Sequence, residues 1–185
     1  ALYSFAGGIR ASIWTDVAQS IVMLVAMSVL VVVCHVAVVP LSGIVESLNT
    51  IDPGLVAWTP SDATLGLLPY AMGWFFAGFG GIGQPHIIVR AMTVNHPDQM
   101  PVMRRTYFSW YMIFSIATFL VGLYSRIYFD GNASLLFDKE TALPVLSTEL
   151  LSPVLVGIVL ASMFAATMST ADSQVLASSA SVTQD

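Results

Sequence analysis

Four stretches of this chain are uncharged, apolar and long enough to cross a lipid bilayer, and that dictates what it can fold into. They run Ile21–Val39, Ala63–Val89 (with His86 inside it), Tyr107–Ser125 and Leu151–Ala171. About 20 apolar residues in a helix span the hydrocarbon core of a membrane. The composition agrees. The chain is 56% hydrophobic and 9% charged, whereas a soluble domain is about 25% charged. We therefore expect an all-α integral membrane protein with four spanning segments. A net charge of −5 and the absence of a basic patch exclude nucleic-acid binding. The single cysteine, Cys34, lies inside the first span, forms no intrachain disulfide and reads as a packing residue.

The expected helices cover about 11–39, 63–83, 103–128 and 152–181. Pro40 stops the first. The connections at about 40–62 and 129–150 carry most of the acidic residues, and Leu41 to Leu48 reads as a short interfacial helix in the first of them. The connection at about 86–102 opens with a helical stretch at the membrane surface. It also holds Arg90, Arg104 and Arg105 (helix 103–128 begins at its edge), and Arg10 precedes the first span. Basic residues favour the cytoplasmic side, so this loop and both chain ends are expected inside, with the two acidic loops outside. Asn132-Ala133-Ser134 matches a short glycosylation sequon on the outer side. The chain opens on Ala1 without a signal-peptide pattern and reads as one membrane region, an internal piece of a longer multi-pass protein of the cell membrane.

Three features carry chemistry. The first is a hydroxyl stripe in the last apolar run. Positions i, i+3 and i+4 share a helix face, which brings together the Ala166 carbonyl and the Ser169 and Thr170 hydroxyls. Ser162 and Ser173 extend the row. Neutral oxygens at membrane depth suit a hard monovalent cation. The same small residues equally serve close helix packing, and on the stripe alone packing is the more ordinary reading. Asp172 is two residues, about 200°, around an ideal helix from Thr170, so it should not join that cluster. It reads as facing a neighbouring helix or the inner part of an ion route.

The second feature is a break. Gly78, Gly80, Gly81 and Gly83 precede Pro85. Each interior glycine costs a helix about 1 kcal/mol and proline about 3. Unwound backbone at membrane depth is tolerated where it lines a cavity or is buried in protein, and secondary transporters bind ions and substrates at such breaks. Trp74 and Phe79 would then be apolar walls for a small solute, beside Gly78, Gly81 and Pro85. Their alternative is an ordinary lipid-facing or core role. The third feature is Asp16, in Trp14-Thr15-Asp16, at the inner edge of the first span. An ionisable residue there is a functional candidate. With Gln19 three residues on, it equally fits a capping box. No nucleophile–base pair, phosphate loop or metal-ligand spacing is visible in the sequence, so we expect no enzyme, no cofactor and no metal beyond a coupling ion.

Gly83-Gln84-Pro85-His86-Ile87-Ile88-Val89-Arg90 and Met168-Ser169-Thr170-Ala171-Asp172-Ser173-Gln174, with Trp14-Thr15-Asp16, Ser178-Ser179 and Thr183-Gln184-Asp185, resemble the sodium:solute symporter family. Its sodium/proline symporters are the nearest pattern. The resemblance runs through essentially the whole chain in order. It implies part of an inverted-repeat helix bundle of the leucine-transporter type with one broken helix: the last helix of the first repeat and the first three of the second. It implies sodium ligands at Ala166, Ser169 and Thr170, and an ion route past Asp16. We add Ser162 and Asp172 to that route. The implied activity is sodium-driven symport of a small organic solute such as proline, another amino acid or a carboxylate. The implied partners are the bilayer, the remaining helices of the transporter, Na+ and the solute. One departure bears on the solute. Anchored on Pro85, the position of a family tyrosine is Gly81 and that of a family tryptophan is Ala77, while Met72-Gly73-Trp74 stands three residues too early. The rival function is a sensor, in which the same membrane module is fused to a signalling domain. A channel is disfavoured because no repeated filter residues occur.

Overall fold

The computed structural model describes residues 2–57, 59, 66–80, 84–132 and 138–184. All regular elements among them are helices. Three are long and apolar enough to cross a membrane: α1 (Leu2–Ala37), α5 (Met100–Asp130) and α7 (Pro153–Gln184). Between them lie α2 (Ile44–Ile51), α3 (Leu67–Phe79), α4 (Pro85–Met92) and α6 (Ala142–Leu150).

The helix ends follow from local chemistry. In α1 the backbone breaks at Gly8 (φ 57°, ψ −152°), a conformation essentially reserved for glycine. Gly8 is thus a kink inside a longer helix. At the other end Pro40 is extended (ψ 151°) and the Leu41 N–H donates to His35 Nδ1 at 3.0 Å. His35 thereby ties the end of α1 to the next segment. The expected interfacial stretch at 41–48 is a 3-10 turn (Leu41–Gly43) followed by α2.

The region expected as one broken span, 63–83, contains α3, 13 residues long. At 1.5 Å per residue that is about 20 Å, short of the roughly 30 Å hydrocarbon core. Gln84, just before α4, is extended (φ −76°, ψ 121°). The helices therefore stand as separate elements. The expected second outer loop is shorter than the sequence suggests, because α6 forms within it. Leu143, Leu146 and Leu150 recur at helical spacing and pack on the core, a pattern obscured by the polar residues around them.

The most extensive interface joins α1 and α7. In α7, Val159, Ser162, Ala166, Ser169 and Ser173 lie on the covered side at alternating steps of three and four. In α1, Ser12, Asp16, Gln19, Met23, Ala26 and Leu30 do the same. This is the seam expected of helices crossing at a shallow angle, and its small side chains allow close approach. The helices run antiparallel: Leu30 and Cys34, late in α1, share a cluster with Val159, early in α7. That cluster also takes Ile44 and Leu48 of α2, Val121, Tyr124 and Phe129 of α5, and Leu146 of α6. The apolar core thus fills one end of the bundle, and the polar part of the seam occupies the other. By contrast, α3 is exposed along its length, with Tyr70–Trp74 and Phe75–Phe79 edge-on ring pairs on its own surface.

Leu146 is fully buried. We expect Leu146→Ala to destabilise the full-length protein by about 2–5 kcal/mol, the range for emptying a core leucine site. Thermal unfolding in detergent measures this, and an unchanged transition would remove α6 from the core.

Candidate functional site

Three elements converge at the polar end of the seam. Asp16 sits on the face of α1 that meets α7, one turn beyond Ser12. Arg90 sits near the end of α4. Its Nη2 donates to Asp16 Oδ2 and to Ser173 Oγ of α7. The Ser173 hydroxyl in turn donates to the Ser169 carbonyl at 2.8 Å. One guanidinium thus cross-links three helices and continues, through Ser173, into the hydroxyl stripe. The Asp16 side chain is 14% exposed and that of Arg90 34%. An ion pair in this setting lies between the surface case, worth little, and the fully buried case, where losing one partner is costly. Asp16 Oδ1 and Gln19 Oε1 are buried with no hydrogen-bond donor among the described residues. The Asp16 carboxylate is therefore held by one oxygen only. Its cap reading is not what the chain adopts, since Asp16 lies inside α1.

Within the stripe, Thr170 Oγ1 donates to the Ala166 carbonyl at 3.3 Å, and Ser162 Oγ to the Val159 carbonyl at 2.6 Å. Ala166 and Ser169 are half-buried, Ser162 is buried and Thr170 is exposed. Two of the three candidate ligands, Ala166 and Thr170, thus touch directly. Ser169 is linked instead to Ser173, whose hydroxyl its carbonyl accepts. Asp172 is 5% exposed, on the covered side of α7 beside Ser173. Hydroxyls bonded back to their own helix are the ordinary means of carrying polar atoms at membrane depth.

The candidate solute residues are not brought to this place. Trp74, Gly78 and Phe79 lie exposed on α3, and α3 makes no extensive packing contact with another described element. Gly81 lies outside the described residues. Pro85, at the start of α4, lines a cavity of about 370 Å³ together with Arg90 and Ser173. Among the described residues no cluster of His, Cys, Asp or Glu could hold a metal ion.

Sequence reasoning used Arg90 only to orient the loop and as part of a motif. Its role as a cross-link could have been suspected from one signal: an arginine on a short helix following a break, in a chain with a lone carboxylate at the inner edge of a span.

The profile of the sodium:solute symporter family matches residues 1–185. The high-affinity proline transporter PutP of Bacillus subtilis (strain 168) is 30% identical over 183 residues, covering 99% of this chain and 38% of the relative. Sodium/proline symporter 2 of Staphylococcus saprophyticus is 35% identical over 188 residues, covering 99% of this chain and 35% of the relative. A sodium/proline symporter of Staphylococcus aureus (strain bovine RF122 / ET3-1) is 34% identical over 188 residues, with the same coverage of 99% and 35%. The chain thus spans between 35% and 38% of the length of these relatives. No solved structure gives a significant match.

The pairing of Asp16 with Arg90 has an energetic signature. A double-mutant cycle of Asp16→Asn and Arg90→Gln on the full-length protein should return a coupling of about 1–3 kcal/mol, between the exposed and buried limits. Additive effects on unfolding would show that the two side chains do not interact.

Proposed function

The chain belongs to the sodium:solute symporter family, and on that premise we propose that the full-length protein couples the inward movement of Na+ to uptake of a small organic solute, with proline the first solute to test. The observation that carries this reading is the hydroxyl stripe of α7, where a carbonyl and two hydroxyls lie within one turn of helix at membrane depth. Relatives along the whole chain are named as proline transporters, which supports both the coupling ion and the first choice of solute. Three apolar helices of membrane length support a multi-pass protein of the cell membrane.

In this reading Ala166 supplies a carbonyl ligand, and Ser169 and Thr170 supply hydroxyl ligands. A hard cation takes roughly six or more oxygens, so the remainder comes from other parts of the transporter and from water. The exposed side of Thr170 is where such partners would approach. The Thr170 hydroxyl now donates to Ala166. To coordinate an ion it must turn its proton away, which a hydroxyl does by rotation. Asp16 and Asp172, with Ser162, would line the route by which the ion moves. Trp74, Gly78, Phe79, Gly81 and Pro85 would contribute to the solute site once the rest of the bundle surrounds α3. The organisation proposed is an inverted-repeat bundle that rocks around a fixed central site. Gly81 and Ala77 stand where proline symporters carry larger side chains, so a solute bulkier than proline is a real outcome of the solute panel. A sensor built on the same module is not favoured, because the relatives named above are transporters.

The test is sodium-gradient-driven uptake of a panel of labelled solutes by the full-length protein in proteoliposomes. Ser169→Ala and Thr170→Ala should each raise the sodium concentration needed for half-maximal uptake, and Thr170→Ser, which keeps the oxygen, should be milder. Asp16→Asn should weaken apparent sodium affinity more than solute affinity at saturating sodium. A packing role predicts the opposite ranking, since alanine fits any site that serine fills. Unaltered sodium curves in both alanine variants would eliminate the ion site.

A further inference from the structure

We infer that His35, with the Leu41 amide and the Tyr124 hydroxyl, forms a proton-operated latch at the outer end of α1, closed when the ring is neutral and released by external acid. The inference goes beyond the proposed function and stands whether or not the α7 stripe takes sodium. The device lies at the apolar end of the bundle, away from the Asp16–Arg90 pair.

Geometry fixes where the proton of the ring sits. A backbone N–H can only donate, and the Leu41 N–H lies 3.0 Å from His35 Nδ1. Nδ1 is therefore the acceptor, and the neutral imidazole carries its proton on Nε2. The bond has a structural task. Leu41 opens the 3-10 turn Leu41–Gly43, and Pro40 before it makes no side-chain cap hydrogen bond. The leading N–H groups of a helical turn lack partners within it, and a ring six positions back supplies one here. The chain is folded tightly to bring this about. Pro40 is extended, and a Cβ on Gly43 would come within 2.8 Å of Val39 Cγ2.

Tyr124 supplies the alternative state. Its side chain is fully buried on α5, and its hydroxyl lies 3.5 Å from the same Nδ1, the outer limit of a hydrogen bond. A buried tyrosine hydroxyl seeks a closer partner than that. A protonated Nδ1 cannot accept from Leu41, because two N–H groups would then face each other. It can donate to the Tyr124 oxygen, which accepts as readily as it donates. Protonation thus exchanges one partner for the other. The ring stays with α5 and lets the turn at Leu41–Gly43 go, while Ile44 and Leu48 keep α2 in the core.

Protons can reach the ring, and no charge pins it. His35 is exposed in the last turn of α1, and by the distribution of arginines this end faces outward. Histidine is the side chain that changes charge between about pH 5 and 8. Beside it on α1 stands Cys34. The outer part of α5 brings Tyr124, Arg126, Tyr128 and Asp130, and α2 brings Glu46 with Asp52 after it. Helix α6 brings Glu149, and α7 carries no titratable or charged group between Pro153 and Phe164. Arg126 is paired with Asp130 at 3.3 Å, and Asp52 Oδ1 accepts from the Gly54 amide at 2.8 Å. Among the described residues none of these carboxylates bonds His35, so a proton on the ring gains no ion pair to offset the lost amide bond. The latch therefore holds at neutral and alkaline pH and opens as pH falls through the histidine range.

The experiment follows amide hydrogen exchange of the full-length protein in lipid nanodiscs over a series from about pH 8 to about pH 5, the two sides of the histidine range, each point corrected for the intrinsic rate. Exchange across Leu41–Gly43 should be about fivefold faster at the acid end, the order expected for one lost hydrogen bond. Ala26–Leu30, in the apolar seam, should stay protected throughout. His35→Ala should exchange fast at every pH. Tyr124→Phe keeps the bond from Leu41 to the ring and removes the acceptor for the protonated ring, so its acid transition should move to lower pH. Equal protection of Leu41–Gly43 in the parent at both ends of the series would overturn the latch. So would a pH dependence that survives in His35→Ala, loosening that extends to Ala26–Leu30, or an unmoved transition in Tyr124→Phe. Should His35→Ala fail to insert, the parent and Tyr124→Phe decide between these outcomes.

Discussion

A backbone amide at membrane depth has no water to bond, so the chain must satisfy it internally, and most of this architecture follows from that. Long unbroken helices result where composition allows, as in α1, α5 and α7. Side-chain hydroxyls meet the same demand. Ser162, Thr167, Thr170 and Ser173 of α7 all donate to carbonyls three or four residues back. That habit makes a polar stripe tolerable in a spanning helix. It also sets what an ion would have to do there, since any cation must offer Ala166 and Thr170 more than the bond they now share. Where helix is abandoned, at Gly8 and at Gln84, the breaks fall at the polar end of the bundle.

The two ends of the α1–α7 seam are built differently. At one end Leu30, Cys34, Val159, Tyr124 and Leu146 form a close apolar cluster, reinforced by His35 accepting from the Leu41 amide. At the other end Ser12, Asp16, Gln19, Ser169 and Ser173 replace those side chains, and a guanidinium from a short third helix is drawn in. Dispersion and close packing hold the first end. Hydrogen bonds and one ion pair hold the second, and these can be exchanged for bonds to an ion or to water at little net cost.

Much of this was legible in the sequence. The apolar runs fall almost wholly inside the three long helices, but most helix ends lie well beyond them, because uncharged length reads what hydrocarbon demands and not where a helix stops. The glycine cluster before Pro85 pointed to the separation of α3 from α4. Spacing alone put Ala166 next to Thr170. What was not legible depends on contacts between distant segments. Arg90 meets Asp16 across 74 positions and Ser173 across 83, and no local pattern encodes either. The helix α6 was hidden because its leucines face the core from within a polar stretch. The candidate residues Trp74, Gly78 and Phe79 on α3 are not assembled with the rest. The chain spans 35% to 38% of the length of its relatives, and no local pattern shows what would pack on α3.

Equilibrium binding tests whether the α7 stripe holds sodium, without any assumption about solute or turnover. Radioactive sodium would be titrated onto the purified full-length protein and onto the Ser169→Ala/Thr170→Ala double variant, both checked for intact folding. A sodium site there gives saturable binding to the parent and a loss of about tenfold or more in affinity in the double variant, as expected when two charge–dipole ligands are removed. Equal affinity and stoichiometry in the two proteins would contradict it and return the stripe to helix packing.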